Sequence, residues 1–195
     1  MGRENKVAVL RIRRLEKVDL PVRVAWFNSQ DAYRQMPLDV PFSLAETGAW
    51  FSRTLLDSSR LDFAAAVEHD SGEELVAMFG LVDIDPKNRK AELYIIVNPT
   101  MRAQGIGSAC IRWLCNYGFG HVGLNKIYLF TLFQNELAQR FYERLGFRQE
   151  GVLREHLFYR GTMMDRCIYA MLAKEWLQSS QSNLDSLDLR IRVKE

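Results

Sequence analysis

Apolar and polar positions alternate with a period of two through residues 7–13, VAVLRIR, the pattern of a half-buried strand with its basic side chains in water. Beyond it the period lengthens. Asp19-Leu20-Pro21 reads as a helix start, with Asp19 placed to cap, Pro21 suited to the first turn, and Trp26 and Phe27 on the apolar face. Ser43-Leu44-Ala45-Glu46 has the form of a capping box and opens a second helix running to Leu56, along which Ala49, Trp50, Arg53 and Leu56 keep helical spacing. Three strands follow over residues 62–68, 75–84 and 91–97, joined at hairpin length by His69-Asp70-Ser71-Gly72 and Asp85-Pro86-Lys87-Asn88. Helix and strand then alternate: helix 106–119, strand 126–131, helix 135–145, strands 147–153 and 164–172. The strand, helix, strand order after residue 91 predicts a right-handed parallel unit, which puts the connection after Val97 at a strand's C-terminal end, where α/β sheets bind ligands.

The tail reads differently. Residues 178–186, QSSQSNLDS, have the composition of a polar linker. Residues 187–193, LDLRIRV, alternate with strand period, yet a single strand buries too little and leaves its backbone groups unpaired. This segment either docks as an added strand on a sheet edge, its own or a neighbour's, and so helps form a homodimer, or stays disordered.

A length of 195 residues suits one domain with a real core, expected over residues 1–176 with the tail from 177 beyond it. The net charge of +2 is too small to advertise nucleic acid or an anionic membrane, so no such partner is expected. Cys110, Cys115 and Cys167 are odd in number and contain no C-x-x-C pair, which argues against a disulfide framework or a metal site and for core-filling thiols in a reducing, cytoplasmic compartment. No apolar run reaches signal or membrane-spanning length.

Chemistry concentrates in residues 94–107, YIIVNPTMRAQGIG. An apolar strand pattern meets a proline turn, then a basic glycine loop, then a helical pattern from Ile106. Gly105 and Gly107 let the main chain run close to a ligand and turn into a helix, so unpaired N–H groups and the positive helix end face one spot that suits a pyrophosphate. A second glycine string, Gly118-Phe119-Gly120-His121-Val122-Gly123, is a literal G-x-G-x-x-G, but it follows a helix and precedes a strand. That is the reverse of a dinucleotide fingerprint, and the string is read as a helix-ending turn. No G-x-x-x-x-G-K-[ST] loop occurs.

The spacing Arg102-x-x-Gly105-x-Gly107 resembles the acyl-coenzyme-A loop, R/Q-x-x-G-x-G/A, of the GNAT acetyltransferase superfamily, and Val97-Asn98-Pro99 resembles the segment leading into it. Residues 135–147, NELAQRFYERLGF, resemble the second signature, N-x-x-A-x-x-[LF]-Y-x-x-x-G-F. Residues 150–155 and 161–165 resemble the closing strands of the subgroup that holds ribosomal-protein N-terminal, spermidine and amino-sugar N-acetyltransferases. The resemblance implies an α/β GNAT fold: a mixed, mostly antiparallel sheet with one parallel strand pair at the acyl-CoA site and flanking helices. It implies acetyl-CoA as acyl donor and no metal. Arg102, Ala103, Gln104, Gly105, Ile106, Gly107 and Ser108 would hold the pyrophosphate, and the backbone of Ile95, Ile96 and Val97 the pantetheine arm and the acetyl carbonyl. One such oxyanion donor is worth about 3 kcal/mol of barrier in comparable sites.

By the same resemblance Asn135 would touch the coenzyme's arm and Tyr142 would protonate the departing thiolate. Asn135 and Tyr142 are seven residues apart, two helical turns, so both can point to one ligand. A core aromatic with a satisfied hydroxyl is the plain alternative for Tyr142. The strand before Asn135, Tyr128-Leu129-Phe130-Thr131-Leu132-Phe133, holds no acid, so the base is sought elsewhere. Glu92 and Asp83 resemble acidic positions of relatives, with His156 a third option. The expected reaction is direct attack of a primary amine on acetyl-CoA, the acceptor being an amino-sugar nucleotide, a polyamine or a protein N-terminus. Residues 33–41 lack the acidic cluster a polycation would need, which ranks polyamine last. A non-catalytic acyl-CoA sensor or scaffold is the alternative of another class. An oligonucleotide-binding surface on Arg11, Arg13 and Arg14 is disfavoured by the low net charge.

Overall fold

The structure, a computed structural model, describes residues 5–30, 37, 41–69, 72–101, 105–179 and 188–194, without the side chains of 5–8, 69 and 188–194. The described strands are β1 (Asn5–Arg14), β2 (Leu61–His69), β3 (Gly72–Asp85), β4 (Lys90–Val97), β5 (Lys126–Leu132), β6 (Arg148–Tyr159), β7 (Thr162–Leu172) and β8 (Asp188–Lys194). They form one sheet in the order β6-β7-β5-β4-β3-β2-β1-β8. Every pairing is antiparallel except β4 with β5. The helices are α1 (Leu20–Phe27), α2 (Leu44–Thr54), α3 (Ile106–Gly120), α4 (Glu136–Arg144) and α5 (Ala173–Gln178).

The alternation of side chains along each strand divides the core in two. On one face α3 buries Ile106, Cys110, Ile111, Trp113, Leu114 and Cys115 against Phe63, Phe79, Leu81, Leu93, Ile127 and Leu129. On the other, α1 and α2 bury Leu20, Trp26, Phe27 and Phe51 against Ala64, Met78 and Ile96. Cys110, Cys115 and Cys167 are buried and unpaired. Burial pushes the thiols of Cys110 and Cys115 up, so they remain neutral packing groups.

Three local readings change. Asp19 does not cap α1: its buried carboxylate accepts the Arg13 fork at 2.7 and 2.8 Å and the Glu16 N–H at 2.8 Å. A guanidinium reaching over from β1 is a stronger donor than a backbone amide, so Asp19 ties the helix start to the sheet instead. The capping box of α2 forms as expected, Ser43 Oγ accepting from the Glu46 N–H at 3.1 Å, but the helix ends at Thr54 and turns Thr47 and Phe51 inward. Leu56 lies beyond it, 92% exposed. β6 continues well past residue 153, because register shifts after Gln149 and Leu153, with Glu155 at φ 49°, let a strand persist where the alternation breaks. At the opposite edge β8 pairs antiparallel with β1, from Asn5 opposite Lys194 to Arg11 opposite Asp188.

Candidate active site

Two parallel strands that begin together and then separate make the site. β4 and β5 pair only through Lys90 with Lys126, Ala91 with Ile127 and Glu92 with Tyr128. Past that point β4 stays with β3 as far as Val97, and β5 stays with β7 as far as Leu132. A gap therefore opens through the sheet. Successive strand amides point to alternate sides, so part of the main chain over residues 93–97 faces this gap without a strand partner. Ile95, Ile96 and Val97 all lie on it. Ile96 anchors in the α1/α2 core, and Ile95 and Val97 pack toward α3, which fixes the stretch from both faces.

At the end of the gap α3 begins. Gly105 is its N-terminal flanking residue at φ 81°, ψ −5°, a left-handed conformation in which any side chain is strained. Among the described residues no side chain caps the helix: the Ser108 hydroxyl instead donates to the Gly105 carbonyl at 2.8 Å. The first amides, those of Ile106, Gly107 and Ser108, thus have no partner within the helix, and they stand at the positive end of its dipole. Gly107 is needed for a different reason. A Cβ there would lie 3.4 Å from Phe141 Cζ and 3.5 Å from Val97 Cγ2, so the end of β4, the first turn of α3 and α4 converge on one point. Arg102, Ala103 and Gln104, expected to line the same cradle, lie outside the described residues.

α4 brings Tyr142 to the α3 side. Its half-buried ring sits edge-on to Phe141 at 5.2 Å and Phe147 at 5.8 Å. Burial raises the pKa of its hydroxyl, which keeps the proton at neutral pH and leaves it able to donate. Asn135 caps α4, its Oδ1 accepting the Ala138 N–H at 3.1 Å. That bond uses one end of the amide and leaves the Nδ2 donors to other partners.

Glu92 projects from the opposite face, since its neighbours Ala91 and Leu93 both enter the α3-side core. It is half-buried at the closed end of the gap. Desolvation raises its pKa, the positive charge of Arg166 opposes that rise, and Asp83 adds to it. Asp83 itself is exposed, at φ 51° in the irregularity between Val82 and Asp85. The structure therefore brings Glu92 and Asp83 together and sets them across the sheet from Tyr142. His156 is exposed and stacks on Phe130 at 5.7 Å, with Arg166 over the same ring at 4.1 Å.

The model of the Acetyltransferase (GNAT) domain family covers residues 10–148. This chain belongs to the GNAT acetyltransferases. The family is one of acetyl-CoA-dependent N-acetyltransferases, and the fold is the one the sequence predicts. It is 28% identical over 173 residues to a spermidine N(1)-acetyltransferase of Vibrio cholerae, covering 88% of this chain and 98% of that one. A putative ribosomal N-acetyltransferase of Bacillus subtilis is 33% identical over 102 residues, 52% of this chain and 56% of the relative. An uncharacterised N-acetyltransferase of the same organism is 30% identical over 106 residues, covering 54% of this chain and 60% of the relative. The chain thus spans little more than half the length of these two relatives. The spermidine N-acetyltransferase of V. cholerae solved in complex with CoA and spermine superposes with a TM-score of 0.78 at 27% identity, over 87% of this chain and 98% of that one.

One cluster in the GNAT domain escaped the sequence reading. On the α1/α2 face, Asp62 of β2 accepts Arg60 Nε at 2.8 Å and Arg60 Nη2 at 3.1 Å, and also accepts the Tyr94 hydroxyl from β4. Gly80 of β3 makes that reach feasible: a Cβ there would lie 2.8 Å from Tyr94 Cε1 and 2.2 Å from the Leu61 carbonyl. Arg23 of α1 lies between Phe27 and Trp50, its guanidinium carbon 4.2 Å from each ring centre. These residues come from two helices, three strands and the position just before β2, and no motif spacing connects them. Gly80 inside an otherwise apolar strand was the one available signal. Among the described residues no group of three or more acids, histidines and cysteines could hold a metal, and no helix is long and apolar enough to cross a membrane.

Proposed function

We propose that this GNAT domain moves the acetyl group from acetyl-CoA to a primary amine by direct attack. The observation that carries the reading is the separation of β4 from β5 after Glu92 and Tyr128, with the uncapped start of α3 at its end. The first-turn amides of α3 bind the pyrophosphate, and the gap-facing amides within the stretch Ile95, Ile96 and Val97 hold the pantetheine and the acetyl oxygen. The amine nitrogen approaches from the α1/α2 face. It adds to the acetyl carbonyl carbon, forming the new C–N bond and a tetrahedral oxyanion whose collapse breaks the C–S bond. Glu92 takes the amine proton through water, Asp83 supports that charge state, and Tyr142 donates its proton to the leaving sulfur. The burial of Tyr142 and of Glu92 supports these opposite roles: one is kept protonated, and the other is a stronger base than an exposed glutamate.

The relatives support two kinds of acceptor, a polyamine and a ribosomal amine. The domain proposed to carry this chemistry is residues 1–176, in a cytoplasmic enzyme that forms a homodimer. Coenzyme A thiol release, followed with and without a panel of primary amines, tests the reaction. Amine-dependent release is expected, whereas tight acetyl-CoA binding with no release for any amine would instead favour a sensor or scaffold. Sedimentation of the full chain tests the dimer.

A further inference from the structure

Among the described residues the Arg23 cluster carries one more positive charge than negative. Asp62 is already engaged by the Arg60 fork and the Tyr94 hydroxyl. Tyr94 stays neutral, because burial raises its pKa. Arg23 is left over. It is 8% exposed, its Nη1 is fully buried without a hydrogen-bond partner, and among the described residues no ion pair reaches it. Desolvation pulls its pKa down, against the opposing influence of Tyr94 and Asp62. A guanidinium held in this way is costly unless an anion completes it, and the two aromatic rings cover its faces but leave the in-plane Nη1 without a partner.

The cluster's position decides what the anion belongs to. Tyr94 is two residues before Ile96 on β4, inside the stretch that has parted from β5, and it faces the α1/α2 side from which the amine would come. Gly80 keeps the floor of β3 open for the Tyr94 ring, so the arrangement is built by backbone as well as side chains. Resting on the acetyl-transfer reading above, we propose that the acceptor is an amine that also carries a carboxylate, and that Arg23 holds this carboxylate by its planar fork while the amine lies over the gap. A carboxylate matches the bidentate donor geometry of arginine and restores neutrality to the cluster. A polyamine would add positive charge beside an uncompensated guanidinium.

The test compares ω-amino acids of two to six carbons with the alkylamines of equal length, and with spermidine, in the thiol-release assay. The carboxylated member of at least one pair should show kcat/KM at least about tenfold higher, the difference expected for one charge-assisted contact. In Arg23→Met that ratio should fall toward one, with Arg23→Lys intermediate and the loss residing in the acceptor's KM. If the variants do not fold, the corresponding des-amino carboxylates should inhibit the wild-type chain competitively against the amine and not against acetyl-CoA. Equal rates within every pair, a preference surviving in Arg23→Met, or spermidine outperforming every carboxylated amine would overturn the proposal while leaving acetyl transfer intact. If no amine releases thiol, the acetyl-transfer reading fails, and calorimetry with coenzyme A bound still decides: binding of an amino acid but not its alkylamine upholds the carboxylate site, and binding of neither removes it.

Discussion

Gly105→Val separates the stability of the loop from its use. At φ 81° a non-glycine residue costs about 1–2 kcal/mol, somewhat more when β-branched. The surroundings add little, since the nearest atom to an added Cβ is Ser108 Oγ at 4.0 Å. The melting temperature should therefore fall by only about 2–8 °C for a chain of this size. The same Cβ and its methyls project into the space in front of the first-turn amides. Losing one or two charge-assisted hydrogen bonds to a pyrophosphate, at about 1.5–3 kcal/mol each, weakens binding by about tenfold to about 10⁴-fold. Calorimetric titration with acetyl-CoA, alongside thermal unfolding of the same sample, reads both effects. A dissociation constant within about threefold of wild type, in a variant that folds, would refute placement of the pyrophosphate at this helix start.

Tyr142→Phe keeps the ring between Phe141 and Phe147 and removes only the proton donor, so turnover should fall about 100-fold with acetyl-CoA affinity unchanged; equal turnover with chemistry rate-limiting would make it a packing residue. Glu92→Gln should remove the acidic limb of the kcat/KM profile, a limb lying above the ordinary glutamate range because burial raises the Glu92 pKa. The raised pKa means the folded chain holds this proton more tightly than the unfolded one. Its contribution to stability is present below the ordinary glutamate pKa and lost as pH rises through the folded value, so Glu92→Gln should melt higher than wild type at neutral pH; a lower melting point would contradict this. Gly80→Ala would force a Cβ to 2.2 Å from the Leu61 carbonyl, costing about 3 kcal/mol or roughly 6–12 °C of melting temperature; a drop below about 2 °C would show that the strands yield freely.

The donor half of the site was legible because it lies in one continuous stretch of chain. The glycines at 105 and 107, the strand before them and the helix after them are neighbours in sequence, and their spacing reports the backbone shape directly. The parting of β4 from β5 was not legible, because pairing register depends on where α3 and β7 hold each strand, not on the residues of β4 itself. Asp19 misled for a related reason: a good capping residue also accepts a guanidinium, and Arg13 reaches it from another element. The α2 stripe shows the limit of periodicity, since Ala49 and Leu56 fit helical spacing as well as Thr47 and Phe51 do, and only contact with α1 selects between them. The Arg23 cluster lay furthest out of reach, being assembled wholly by tertiary contact.

The gap between β4 and β5 makes the sheet a partition with a window in it. In the proposed reaction donor and acceptor approach from opposite sides, so neither occupies the other's way in, and initial-velocity plots should intersect as they do when both reactants are bound together. A conjugate joining the sulfur of coenzyme A to the amine nitrogen through an acetyl-sized bridge would thread this window. Its second arm would bind at an effective concentration in about the millimolar range, raising affinity over coenzyme A by up to about 10²–10⁴ without any new contact. Such a molecule would also hold the two strands apart at a fixed separation, fastening the two halves of the sheet to each other through the ligand.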